Sequence, residues 1–390
     1  MLYGVGCRCQ ALAAASGAWF AHYYRREHRL EGGEFESSVS RHSALRYGVP
    51  QTRYVAATET FALSYDFRTR NPSWVAEVLT AESVRLKAAS RDDAKFHEAR
   101  GVPVGMRNKT SDFKSTIYDR GHMAPARDCA SSTASLHDSF SLANVSPQIG
   151  QGFNRGIWNR FEHFVRGLVL KGNADELRVI TGPLFLPKLT KRGSLQFEHP
   201  CIGVPPEVVH VPTRFYKIIL AETKPRSSGP TTFALGCFVM PNEALSDDVS
   251  LTDFVVAVDD LEAAAGTLFF PNLLTEPRRE AMRNAESKWI KPLPNTALII
   301  DNNNNKKKNS SKQKKTIMSS SENNISHLCD RHRCELVSQR WVEDIQRKKQ
   351  QKQKKASEKQ QQQLTTKKSS DDDDDDDVAD IDDASSSDFP

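Results

Sequence analysis

Cysteine is scarce in this 390-residue chain, and its seven copies (Cys7, Cys9, Cys129, Cys201, Cys237, Cys329 and Cys334) are scattered and odd in number. That excludes the dense paired framework of small secreted domains. Cys129, Cys201 and Cys237 are expected reduced and partly buried; Cys129 is also weighed as an oxidisable thiol. Apolar residues make up only 38%, low for a chain that is globular throughout. The apolar run Ala11–Tyr24 falls short of the ~20 residues of a spanning helix and is interrupted by Ser16, Gly17 and His22. Acidic residues are missing before Glu27, whereas Arg8, Arg25, Arg26 and many alanines are present. Such a segment, residues 1–30, fits a mitochondrial presequence. A secretory signal and a weak inner-membrane anchor are the alternatives.

Strong charge of either sign is also lacking. The formal net charge is +5. From Asp301 onward 18 basic residues meet 18 acidic ones, so the excess lies in the first 300 residues, with 36 basic against 31 acidic. This mild bias permits nucleic-acid binding without requiring it.

Composition divides the chain further. Residues 31–44 read as a glycine- and serine-containing linker, 45–300 as one globular domain, and 301–390 as a low-complexity, disordered tail. The runs Asn302–Asn305, Lys306–Lys308, Gln360–Gln363 and Asp371–Asp377 cannot bury a core. An island at Ile325–Ile345 could form a helix, marginal on its own. His327, Cys329, His332 and Cys334 invite a zinc reading, but their interleaved spacing fits no common finger. The lysine block from Lys306 to Lys315 reads equally as a nucleic-acid tether and as a solvated run.

Within the domain, Phe61–Asp66, Leu177–Thr181, Phe215–Leu220 and Phe233–Val239 read as strands, the second ending at Gly182-Pro183. Trp74–Leu79 is a strand or short helix. Arg155–Leu170 is the clearest helix, with Ile157, Phe161, Phe164, Val165 and Leu168 at helical spacing and Gly172-Asn173 after it. Together they give an α+β domain with a mixed, mainly antiparallel sheet.

The chemistry centres on Asp119-Arg120-Gly121-His122-Met123-Ala124-Pro125-Ala126. Histidine is the usual base for making water nucleophilic near neutral pH. Arg120 can neutralise an anion made more negative by attack. Gly121 allows close backbone approach, and Pro125 ends the segment. Phosphodiester hydrolysis is the chemistry these residues suit. Downstream, Asn154, Trp158, Glu162 and Arg166 recur every fourth residue, so the polar members share a helix face. An amide carbonyl suits Mg²⁺, a hard cation with oxygen ligands. Considered alone, that helix is more simply a solvated amphipathic one with Trp158 in the core.

These segments resemble the DNA/RNA non-specific endonucleases, the ββα-metal nucleases, and within them the mitochondrial endonuclease G group. The resemblance runs in order through Tyr47–Pro50, Arg68–Val75, the Asp-Arg-Gly-His run, Leu142–Gln148, Gly152–Arg155, Thr181–Pro187 and Phe238–Asn242. It implies a ββα-metal motif with His122 as general base, Asn154 as ligand to Mg²⁺ (Mn²⁺ substituting), and Glu162 orienting the metal's waters. Arg120, Arg70 and Arg166 fall on the phosphate side, with Arg68 a rival to Arg70. Arg120, Asn144 and Arg155 are the expected contacts to DNA or RNA, although Asn144 equally reads as a loop-holding turn residue. It further implies a homodimer, 5′-phosphate and 3′-hydroxyl products, and mitochondrial residence with nuclear release. The rival reading is an inactive nucleic-acid-binding protein of the same fold. Its signature would be a missing histidine or asparagine, and both are present.

Overall fold

The computed structural model describes residues 43–91, 94–290 and 324–338, and beyond these only positions 340, 344, 347 and 351. The expected targeting segment, most of the linker, the lysine block and the aspartate run lie outside the described residues. Two units are distinguished, Met1–Arg53 and Tyr54–Pro390. Among its described residues the first has a 3₁₀ turn, Ser43–Leu45. The second carries the main sheet and the helices packed on it.

From the boundary onward the elements run β1 (Arg53–Ala57), β2 (Phe61–Asp66), β3 (Asn71–Thr80), α1 (Ala81–Arg85), β4 (Tyr118–His122), α2 (Thr133–Ser139), β5 (Val145–Ile149), α3 (Asn159–Leu170) and β6 (Glu176–Leu184). Then come β7 (Lys188–Leu189), β8 (Leu195–Gln196), β9 (Cys201–Val204), β10 (Glu207–His210), β11 (Arg214–Thr223), β12 (Thr232–Pro241), β13 (Val255–Val256), α4 (Val258–Ala265), α5 (Glu276–Glu286), β14 (Ile325–His327) and α6 (Leu328–Arg331). The main sheet has the order β1-β2-β3-β6-β11-β12-β13, with β14 beside β12. Pairings from β2 to β13 are antiparallel, and β14 joins β12 in parallel.

The sheet is covered on both faces, which is why β11 reads as an apolar run rather than an alternation. Phe215, Ile219 and Ala221 enter the larger core with α3, while Tyr216, Ile218 and Leu220 enter the second core with α4 and α5. Between Phe215 and Ile219 sits Lys217, only 1% exposed. A cation is thus buried on the face that carries α3.

Three expectations change. β6 continues through Gly182 and Pro183 to Leu184. Its last register pair with β3 is Val75↔Thr181, so beyond that point only β11 is a partner and the N–H missing from Pro183 costs no bond on the other side. α3 begins at Asn159, not Arg155, because Gln151, Gly152 and Gly156 leave helical geometry in the wide turns of Gly150–Trp158. The third change concerns the tail, where residues 324–338 belong to the fold. Ile325 and Leu328 are buried, β14 pairs Phe233↔Ile325 to Leu235↔His327, and Cys329 is disulfide-bonded to Cys334. The β12 edge supplies the backbone partners and apolar contact that this segment lacks in isolation.

Candidate active site

β4 and β5 form a separate two-stranded sheet, with His122 opposite Val145 and Gly121 opposite Ser146. The turns from Gly150 and then α3 come directly after, so the chain forms a ββα unit. Arg120 and His122, two apart on a strand, share a face. Both meet Phe96: the Arg120 guanidinium lies 5.2 Å from that ring's centre and the His122 ring 5.1 Å. A Cβ on Gly121 would overlap the Gln148 side chain. Glycine is therefore what lets the Gln148 amide lie against the strand.

His122 is 9% exposed and its Nε2 has no hydrogen-bond partner. Phe140 meets its ring edge-on at 4.9 Å. Burial, reinforced by the nearby Arg91 guanidinium, holds the imidazole down at about 3. A neutral ring with an unengaged nitrogen is able to accept a proton. The anionic phosphate of a substrate would favour the imidazolium and raise that value.

Asp119 contacts the next element. Its Oδ2 accepts from Asn154 Nδ2 at 2.9 Å and lies 3.2 Å from Arg155 Nε. A carboxylate only accepts, so the amide nitrogen must face it and Asn154 Oδ1 points elsewhere. Oδ1 is a hard oxygen donor of the kind Mg²⁺ takes. Gln148 is fully buried, and neither Nε2 nor Oε1 finds a protein partner. The Asn154 amide carbonyl, turned from Asp119, is a donor that fits a hydrated hard cation.

Glu162, eight residues after Asn154 and on α3, is pushed up to about 7 chiefly by burial, against the lowering pull of Arg166 and Lys217. It belongs to a buried cluster with Glu77, Asp128, Arg166 and Lys217. Arg166 Nη1 donates to Asp128 at 3.2 Å and lies 4.0 Å from Glu162. Lys217 Nζ donates to Thr181 Oγ1 at 2.7 Å and sits 5.0 Å from the centre of the Trp158 ring. Three acids face two bases, and burial raises Glu77 well above its usual value. The cluster retains protons that free carboxylates would release.

Three residues expected in chemical roles are placed otherwise. Arg166 is 5% exposed and engaged by Asp128, so it supports Glu162 rather than reaching a phosphate. Arg70 adopts a left-handed backbone (φ 53°) and donates to the carbonyls of Val208 at 3.1 Å and Gly105 at 2.7 Å. Its guanidinium clamps β10 to the turn at Val104–Met106, and Arg68 is the exposed arginine there. Asn144 is fully buried, donating to Ala124 O and Ser139 O and accepting from Ala124 N. It holds the loop after His122, out of reach of a nucleic acid. Arg120 remains half-buried, with Nη2 on Thr110 O at 3.2 Å. Arg155 is exposed.

Asp119, Gln148 and Arg91 went unrecognised in the sequence. Arg91 is exposed, lies 5.9 Å from the centre of the Phe140 ring, and acts electrostatically on both His122 and Glu162. Its charged neighbourhood carried no signal; for Gln148 the signal was Gly121, two residues along the strand from its partner Asp119. Among the other cysteines, Cys129 and Cys237 are buried and burial raises both thiols, whereas Cys201 is exposed, contrary to expectation.

Comparison with known proteins bears on this arrangement. The family profile described as DNA/RNA non-specific endonuclease matches residues 38–276. The mitochondrial nuclease of Saccharomyces cerevisiae is 39% identical over 224 residues, covering 57% of this chain and 67% of that protein. Nuclease 1, mitochondrial, of Schizosaccharomyces pombe is 32% identical over 291 residues, covering 69% and 88%. Among solved structures, a crystal structure of an EndoG/EndoGI complex aligns with TM-score 0.54 at 35% identity, covering 60% of this chain and 92% of that one. The matched span holds the whole ββα unit, from the strand bearing His122 to the helix bearing Glu162, and with it the chain belongs to the DNA/RNA non-specific endonuclease family.

Proposed function

We propose that this endonuclease is Mg²⁺-dependent, accepts Mn²⁺, and hydrolyses DNA and RNA with little sequence preference to 5′-phosphate and 3′-hydroxyl ends. The observation that carries this reading is His122, a neutral imidazole with an unengaged Nε2, two residues from Arg120 and joined to Asn154 through the Asp119 segment. His122 removes a proton from the attacking water, which adds to phosphorus as the P–O3′ bond breaks and O3′ takes up a proton from solvent. Arg91 and Arg120 balance the charge that grows on the phosphoryl oxygens. Asn154 Oδ1 would hold the metal, and Glu162 would be the carboxylate that orders its waters. When bound, the ion would supply Lewis-acid stabilisation of the charge that develops in the reaction. Asp119 keeps the Asn154 carbonyl turned outward, and Asn144 keeps the His122 loop in place.

The mitochondrial names of relatives in two yeasts, together with the acid-free first 26 residues, support mitochondrial residence, in the intermembrane space or at the inner membrane. Roles in nucleic-acid turnover there, and in DNA degradation after nuclear release, accord with that placement. Among the described residues no helix is long and apolar enough to cross a membrane; a weak inner-membrane association through the N-terminal segment is part of the proposal. A homodimer is the assembly proposed.

Plasmid and RNA digestion with and without Mg²⁺, comparing the protein with His122→Ala, tests the reading. A loss of ~10²–10⁴-fold is expected for removing a general base. Near-normal cleavage by a folded variant would refute the assignment.

A further inference from the structure

Away from the ββα unit, the β9–β10 hairpin gathers three soft or borderline ligands that the nuclease chemistry does not use. Cys201 and His210 are a direct cross-strand pair in the register, so their side chains leave the same face. His199 precedes Cys201 by two residues in extended chain. Val211 N donates to Pro200 O at 2.9 Å, which continues the ladder and puts His199 on that face too. One ligand atom from each of His199, Cys201 and His210 lies within 4.8 Å of the others.

We propose that His199, Cys201 and His210 form a second metal site, taking a borderline-soft divalent ion, Zn²⁺ foremost, with one coordination position open to solvent. Thiolate with two imidazoles is a donor set that selects Zn²⁺ over Mg²⁺, which prefers oxygen. His199 Nε2 and His210 Nδ1 stand 2.8 Å apart. Tetrahedral nitrogen ligands sit ~3.3 Å apart for bonds of about 2.0–2.1 Å, so a small parting of the rings admits the ion. His199 Nδ1 is buried without a partner, and the Phe185 ring walls the pair at 5.0 Å from the His199 ring.

The backbone around the ligands is already fixed. His210 N donates to Thr69 O at 3.0 Å, and His210 O accepts from Asn71 Nδ2 at 2.9 Å. The same hairpin offers the Val208 carbonyl to Arg70, so the ion would stiffen the loop that Arg70 clamps. Binding converts the Cys201 thiol to thiolate and releases one proton, while both imidazoles bind neutral.

Co²⁺ and Zn²⁺ titrations of the full chain, free of any affinity tag, test this. Co²⁺ should give a thiolate-to-metal charge-transfer band and the strong d–d bands of four-coordination. Cys201→Ser should remove the charge-transfer band. His210→Ala should weaken Zn²⁺ binding by ~10²-fold, at least the loss seen for outer-shell partners. Zn²⁺ should also slow maleimide alkylation of Cys201 in the unaltered protein but not in His210→Ala. The exposed position of Cys201 makes its serine variant safe for folding. Absence of the charge-transfer band, its survival in Cys201→Ser, or an alkylation rate indifferent to Zn²⁺ would each overturn the proposal. None of these readouts depends on nuclease activity.

Discussion

Asp119 accepts a hydrogen bond from Asn154 Nδ2 at 2.9 Å, and this contact makes the first residue of the Asp-Arg-Gly-His run an orienting group for the proposed metal ligand. Without a pure acceptor beside it, the amide can rotate and present nitrogen where oxygen is needed. Asp119→Ala should therefore raise the Mg²⁺ concentration for half-maximal plasmid cleavage by roughly 10–100-fold, the usual cost of losing an outer-shell partner. Asn154→Ala should raise it further, whereas Asn154→Asp, which keeps an oxygen, should recover part of the loss. An unchanged Mg²⁺ requirement in Asn154→Ala would place the ligand elsewhere.

Arg91 and Arg70 should separate cleanly into chemical and structural roles. Arg91 is exposed beside the Phe140 ring, so Arg91→Ala should lower kcat by ~10²-fold, as loss of one charge-stabilising donor does, with little change in Tm. Arg70 is 7% exposed and bonded to two carbonyls. Arg70→Ala should lower Tm instead, since buried hydrogen bonds to a charged group contribute about 1.5–3 kcal/mol. Thermal melts beside steady-state kinetics would show the split, and the reverse pattern would restore Arg70 to the phosphate.

The ββα unit was legible because its chemistry is local: Arg120, Gly121 and His122 are contiguous, and Asn154 and Glu162 lie a short span downstream. The strands of the main sheet were legible from their apolar runs. What escaped was tertiary in origin. Nothing in the order of residues shows that Asp128 engages Arg166, or that the Gly105 and Val208 carbonyls consume the Arg70 guanidinium. Helical spacing from Asn154 to Arg166 was read across Gly156, whose backbone leaves the helix. Composition also hid the docked segment at residues 324–338, since its few apolar residues are diluted by the runs around it.

The cluster around Glu162 should show in the pH dependence of stability. Its folded value is about 7 against an ordinary 4.5. Below about 4.5 the group is protonated folded or unfolded, and contributes no pH dependence. Between about 4.5 and 7 the unfolded chain releases the proton that the folded protein keeps, so stability falls as pH rises. Above about 7 the penalty is constant. Glu162→Gln removes this dependence, and Glu77 and Glu286 act in both proteins. The variant should gain on the parent across that window, by at most ~1.4 kcal/mol per pH unit. Denaturant titrations at pH 5 and pH 8 measure the difference; a gap independent of pH would show that Glu162 is ionised throughout.

The composition of the tail argues that everything after Ile300 is dispensable to the core; the structure argues otherwise for one part of it. Ile325 and Leu328 are 7% and 0% exposed, and β14 extends the sheet at β12. His327 is 1% exposed with its ring stacked on Trp289 at 5.7 Å, and Asp330 accepts from Trp289 Nε1 at 2.8 Å. A chain ending at Ile300 would expose the apolar surface these residues cover and leave the β12 edge open where β14 pairs. Fully burying each large aliphatic side chain contributes about 1.5–3 kcal/mol, so the loss should be several kcal/mol before the entropy of ordering the segment is subtracted. A chain ending at Ser338 keeps every one of these contacts. It should melt with the full-length protein, while the chain ending at Ile300 should melt lower and associate through its open edge. Equal Tm values for the two truncated chains, with both monodisperse in light scattering, would mean that the docked segment contributes nothing to the fold.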